Sequence, residues 1–203
     1  CVTLQTVNVN WHHFIPKNSH IKDQYHPRYW YSVFMTRKSL WDMFTTPYIL
    51  VFQADTLVCR QLDIPRFEAA HYDYLGSPSL HYNNNQITRV PWENMEKPFR
   101  VFLNGGIALH RRQWTLACTR RFQRVLLNED AKWNECGFKL PTAFDAMSFG
   151  SDNGFTMCFT HDGRRICPSV VHKPWVRYNT INELRELEES CPRLREMRSA
   201  WQH

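Results

Sequence analysis

The sequence predicts an α/β protein: a single domain over residues 1–203 whose mixed sheet is flanked by helices. Three observations predict it. Tyr48-Ile49-Leu50-Val51-Phe52 is a run of five apolar residues, the pattern of a strand buried on both faces, which belongs to a parallel or mixed sheet covered by helices. Before it, Tyr31, Phe34, Met35, Trp41 and Phe44 fall largely at helical spacing. A chain of 203 residues, 43% hydrophobic and 14% aromatic, has enough apolar surface for one core and little room for a second.

Each element follows in order. Val2 to Val9 alternates apolar and polar residues and reads as a short strand. Residues 10–29, rich in His, Pro, Asn and Tyr, read as loop, and a helix over Tyr31–Phe44 ends at Thr45-Thr46-Pro47 because the residue before proline avoids helical geometry. Behind the strand Tyr48–Phe52 the chain turns polar at once, with Gln53, Asp55 and Thr56. That places a polar cluster at the carboxyl end of a central strand, where open α/β sheets bind ligands. Tyr72 to Leu75 predicts a strand ending at Gly76-Ser77-Pro78, and residues 79–100 a long loop. Val101-Phe102 and the strand from Ile107 to His110 flank Asn104-Gly105-Gly106, and Gln113–Leu127 reads as a helix. Phe155 to Val171 predicts a hairpin about Asp162-Gly163, a strong two-residue turn signal. Thr180-Ile181-Asn182-Glu183 is a capping box opening a helical tail over residues 180–203.

The net charge of +6 predicts attraction to phosphates, whether in nucleic acid, in lipid headgroups or in a diphosphate. The basic residues are scattered, and no stretch interleaves them with aromatics, so nucleic-acid binding rests on charge alone. No apolar run reaches the roughly 18 residues that span a bilayer. No signal peptide is visible, and the missing start Met predicts an excised fragment with any targeting sequence upstream. Seven cysteines form no C-x-x-C pair. In the hairpin register Cys158 faces Cys167, which gives a cross-strand disulfide in an oxidising compartment and two buried thiols otherwise. Cys158, His161, Cys167 and His172 also have zinc-like spacing, but His161 beside the turn would point along the hairpin rather than into a cluster.

Four stretches carry candidate chemistry. A carboxylate at a strand tip, as Asp55, can hold a hard cation such as Mg²⁺ or Mn²⁺, or simply cap a turn. Gly105-Gly106 lets backbone approach a ligand and Asn104 can bond sugar hydroxyls, or the three form a bulge. Glu129 and Asp130 can orient an acceptor hydroxyl or offset a positively charged sugar transition state, or lie solvated in a loop. His172 can complete a metal site, and Lys173 can neutralise a phosphate.

The order of these stretches resembles a family of predicted glycosyltransferases in which Gln-x-Asp replaces the usual Asp-x-Asp. Tyr31-Ser32 through Trp41, Gln53-Ala54-Asp55-Thr56, Tyr72-Asp73-Tyr74-Leu75-Gly76-Ser77-Pro78, Asn104-Gly105-Gly106-Ile107-Ala108-Leu109, Asn128-Glu129-Asp130, Leu140-Pro141 with Ala146 and Phe149, and His172-Lys173-Pro174-Trp175 carry the likeness over residues 31–175. The same order is similar, more distantly, to glycogenin-like glycosyltransferases. The resemblance implies a glycosyltransferase-A type fold and transfer of a sugar from a nucleotide-sugar donor to a hydroxyl of a glycan, protein or lipid acceptor. It implies Mn²⁺ or Mg²⁺ held by Asp55 and His172. It further implies donor contacts from Gln53, Asn104, Gly105, Gly106, Lys173 and Arg37, and catalytic roles for Glu129 and Asp130. The chain departs from the pattern in three places: Gln53 removes one metal carboxylate, Ala131-Lys132 replaces aromatic residues, and the first strand and helix are missing or reduced. The first and third departures also fit a non-catalytic carbohydrate-binding module derived from such an enzyme.

Overall fold

A computed structural model describes residues 27–79, 103–121, 129–136, 139–152, 158–173 and 181–201. Their architecture is mixed α/β, with small sheets among helices rather than one broad sheet. Helix α1 (Pro27–Met35) begins earlier than the composition predicted, with proline tolerated in its first turn. It then breaks instead of running on to Phe44. The Thr36 hydroxyl donates back to the Ser32 carbonyl at 2.9 Å, Arg37 takes extended backbone geometry, and a separate helix, α2 (Lys38–Asp42), follows. A hydroxyl bonded to its own helix competes with helix propagation. Hydrophobic spacing could not reveal that break.

Strand β1 (Tyr48–Phe52) has the predicted bounds but not the predicted setting. It lies at the edge of a three-stranded sheet, antiparallel to β4 (Leu103–Arg111), which in turn pairs antiparallel with β3 (Tyr74–Pro78). Its end is open to solvent, with Phe52 57% exposed. An apolar run marks a strand but does not encode the direction of its partner. Strand β3 also starts and ends later than the predicted Tyr72–Leu75.

A second sheet orders β2 (Thr56–Val58), β8 (Val170–His172) and β5 (Gly150–Asp152), with β2 antiparallel and β5 parallel to β8. The hairpin is shorter than expected: β6 (Phe159–His161) and β7 (Arg164–Ile166) pair by themselves, and Val170-Val171 belongs to the second sheet. Its turn has positive φ at both Asp162 (49°) and Gly163 (70°), the requirement of the tight two-residue turn. Cys158 and Cys167 bond across it, which removes the zinc reading. Disulfides also join Cys59 to Cys191 and Cys118 to Cys136.

The remaining helices are α3 (Ile64–Ala69), α4 (Arg112–Thr119), α5 (Glu129–Glu135), α6 (Ala143–Phe149), α7 (Ile181–Ser190) and α8 (Arg193–Trp201). Helix α4 ends at Thr119, and residues 122–127 of the predicted helix lie outside the described residues. The predicted strands at Val2–Val9 and Val101-Phe102, residues 80–100 of the predicted loop and Thr180 of the capping box lie outside the described residues. Trp41, Tyr74, Leu75, Leu103, Ile107, Trp133 and Phe149 form the main core against the first sheet. Within it His110 is 1% exposed, with Trp41 and Tyr74 at ring distances of 4.7 and 4.9 Å, and burial lowers its pKa to about 3. A second core of Leu57, Val171, Leu184, Leu187, Cys191 and Leu194 packs α7 and α8 behind β2 and β8. No helix among the described residues is long and apolar enough to cross a membrane.

Candidate functional site

Residues from both sheets and two helices meet where β1 ends. The turn Gln53–Asp55 links β1 to β2 and is fixed by the Gly106 carbonyl, which accepts from Gln53 N at 2.8 Å and from the Thr56 hydroxyl at 3.0 Å. On the other side, Lys173 N donates to the Asp55 carbonyl at 3.1 Å, and the β2–β8 register sets Thr56 opposite His172. The fold therefore delivers the His172 ring to the side chains of the turn. Its Nε2 lies 3.1 Å from Gln53 Oε1 and 3.1 Å from Asp55 Oδ1, while Nδ1 lies 2.7 Å from Asp152 Oδ1.

Asn104-Gly105-Gly106 lies within β4 rather than in a loop leading to it. The register with β3 jumps from Gly76–Ala108 to Ser77–Asn104, so Gly105 to Ile107 bulge out of that ladder. The glycines have a steric reason. A Cβ on Gly106 would overlap the His172 ring, and one on Gly105 would overlap Asp130 Oδ1. The room they leave is taken by the site's own side chains, and Asn104 Oδ1 caps the bulge by accepting from Gly106 N at 2.6 Å.

Two successive glycines thus seat the two halves of the site. Asp130 Oδ1 accepts from Gly105 N at 2.8 Å, and Glu129 accepts from the Ser32 hydroxyl. Both carboxylates open helix α5 instead of lying in a solvated loop, and both are buried, at 7% and 5% exposure. Burial raises the pKa of Glu129, and burial together with the Glu129 charge raises that of Asp130 well above the carboxylate range. The Lys173 ammonium opposes both shifts, which puts its charge within reach of the pair. Lys173 has a left-handed φ of 48°, so the chain turns sharply just after β8. Tyr31 completes the group: its side chain bonds to Gln53, and burial pushes its phenol above its ordinary range. Arg37 is exposed at the N-cap of α2.

The chemistry of the donors around His172 Nε2 suits a cation. Nδ1 donating to the Asp152 carboxylate would leave Nε2 as the lone-pair nitrogen of the ring. Nε2 faces Gln53 Oε1 and Asp55 Oδ1, an arrangement that a cation, a second ring proton or a rotated Gln53 amide would each satisfy. Adjacent ligands of an octahedral ion at about 2.1 Å stand about 3 Å apart, close to the two 3.1 Å separations here. With one His, one Asp and an amide oxygen the set is lean. No group of three or more His, Cys, Asp or Glu side chains suited to an ion occurs among the described residues.

A family model matches residues 16–172 of the chain, under the description "Protein of unknown function (DUF5672)". The chain belongs to that family. The match includes Gln53, Asp55, Asn104, Gly105, Gly106, Glu129, Asp130 and His172, and ends one residue before Lys173. Helices α7 and α8 lie beyond the DUF5672 span, yet they form the core behind β8. No curated protein and no solved structure matches the chain.

Three residues of the site were not singled out by their chemistry in the sequence. Tyr31 and Ser32 are a helix pair without a distinguishing spacing, and their partners lie 22 and 97 positions away. Asp152 follows the apolar helix end Phe149 and closes a short strand. That is the same pattern, an acid at a strand's carboxyl end, that marked Asp55.

Proposed function

We propose that this chain is a glycosyltransferase of the glycosyltransferase-A type, moving a sugar from a nucleotide-sugar donor to a hydroxyl acceptor. The observation that carries the reading is the convergence of Gln53 Oε1 and Asp55 Oδ1 on His172 Nε2, each at 3.1 Å, beside a buried carboxylate pair. Asp55 and His172, with the Gln53 amide oxygen, would hold Mn²⁺ or Mg²⁺, which would supply charge neutralisation for a departing diphosphate.

The protein's own groups divide the remaining work. Lys173 offers an ammonium to the diphosphate from the same strand end as His172. Donor hydroxyls would find the Asn104 side-chain amide on the bulged strand, whose Gly105 and Gly106 N–H groups already donate to Asp130 and Asn104. As the bond from the anomeric carbon to the diphosphate breaks, its electron pair leaves with the diphosphate, and the acceptor oxygen forms the new bond. The acceptor's proton passes to the Glu129–Asp130 pair, whose raised proton affinity suits a base in a buried site.

The test is Mn²⁺-stimulated donor hydrolysis or transfer by the full chain across a panel of nucleotide sugars. Turnover is expected, with a loss in Asp55→Ala of at least the roughly 10- to 100-fold seen when a metal ligand's supporting partner is removed. Full activity in that variant would refute the site. Glycan binding without any turnover or nucleotide affinity would instead identify a carbohydrate-binding module, the reading that Gln53 in place of a carboxylate favours.

A further inference from the structure

Resting on that reading, we propose that Asp152 is a positioning residue that fixes the orientation and proton placement of His172 for metal binding. Asp152 is 0% exposed. A carboxylate so placed is costly unless it is paired and hydrogen-bonded, and its Oδ1 lies 2.7 Å from His172 Nδ1. The pairing follows from the fold. Strands β5 and β8 run parallel with Asp152 opposite His172 in the register, so the two side chains lie side by side at the carboxyl ends of neighbouring strands.

The imidazole is held on three sides. Asp152 takes Nδ1, the Gly106 backbone closes against the ring because a Cβ there would overlap it, and the turn Gln53–Asp55 faces Nε2. A ring that donates Nδ1–H to a carboxylate presents a more basic Nε2 in one fixed direction, the arrangement by which carboxylates support metal-bound histidines. Asp152 itself touches no ion in this scheme. Its effect passes through His172.

The experiment uses the full chain in three forms: wild type, Asp152→Asn and Asp152→Ala. Mn²⁺ binding is measured by electron paramagnetic resonance without donor, thermal unfolding is measured in EDTA, and the His172 ring nitrogens are assigned by ¹⁵N NMR. The wild type is expected to bind one Mn²⁺ and, metal-free, to show the tautomer with Nδ1 protonated. Asp152→Asn is expected to weaken Mn²⁺ roughly 10- to 100-fold, with unfolding in EDTA little changed. Asp152→Ala is expected to lose the single tautomer as well, and if it fails to fold the Asn variant decides. Equal Mn²⁺ affinity in wild type and Asp152→Asn, with an unchanged tautomer, would overturn the positioning role while leaving the metal site standing. No Mn²⁺ binding by the wild type would overturn the proposed function, and this inference with it.

Discussion

At the scale of the residue, the site is a balance of buried charges. Glu129 and Asp130 are adjacent, buried and hydrogen-bonded, with Asp152 adding repulsion and Lys173 offsetting it. Asp130 has a folded pKa raised by burial and by Glu129, so the fold favours its protonated form. The stability this contributes is present at low pH and lost as pH rises through the raised value. Asp130→Asn keeps the oxygen that accepts from Gly105 N but sheds the charge. It is therefore expected to melt higher than wild type at pH 8, with the advantage shrinking towards pH 4, and to lose transfer activity. Thermal unfolding across that range checks it, and an equal or lower melting temperature at every pH would count against the buried-charge account. Sequence reasoning reached Asp55, His172, Glu129 and Asp130 because strand tips and acidic pairs are local signals. It missed Tyr31 and Asp152, whose meaning comes from partners brought up by distant elements: Gln53 for the one, the β5–β8 register for the other.

At the scale of the element, the Asn104-Gly105-Gly106 bulge does the most to assemble the site. One strand segment seats Asp130 on its first glycine and the His172 ring on its second, and its Gly106 carbonyl anchors the Gln53–Asp55 turn. Gly106→Ala is expected to destabilise the chain by about 1–3 kcal/mol, the usual cost of overpacking a filled interior, and to weaken Mn²⁺ by displacing His172. Chemical denaturation and Mn²⁺ titration measure the two effects, and an unchanged Mn²⁺ affinity would show that the ring does not depend on this seat. Element identity was legible where the signal was local, as in the Asp162-Gly163 turn and the Tyr48–Phe52 run. It was not legible where side chains redirect the backbone. Thr36 bonds back to Ser32 and splits the first helix, and the glycine pair turns a predicted strand entrance into a bulge inside β4.

At the scale of the whole molecule, His172 sits on the second sheet, Gln53 and Asp55 on the turn that joins the first sheet to it, and the carboxylate pair on a helix packed on the first. The core of Leu57, Val171, Leu184, Leu187 and Leu194 backs the second sheet, and the Cys59–Cys191 disulfide ties β2's end to the C-terminal helices across 132 residues. Support for His172 therefore comes in part from helices beyond the DUF5672 span. Three disulfides among the described residues fit folding in an oxidising compartment, a point that cysteine spacing alone left open. The α/β class was legible in the sequence, but the division into three small sheets among the described residues was not, because it depends on which strands pair. The central claim is a metal-assisted diphosphate site, and a thermal-shift series with nucleoside diphosphates, with and without Mn²⁺, tests it most directly. Bound ligand at one hundred times Kd stabilises by about 2.7 kcal/mol, a rise of several degrees for a chain of this size. The account predicts such a rise for at least one nucleoside diphosphate, requiring Mn²⁺ and abolished by EDTA and by His172→Ala. No rise with any nucleoside diphosphate, or one indifferent to Mn²⁺ and to His172, would contradict it.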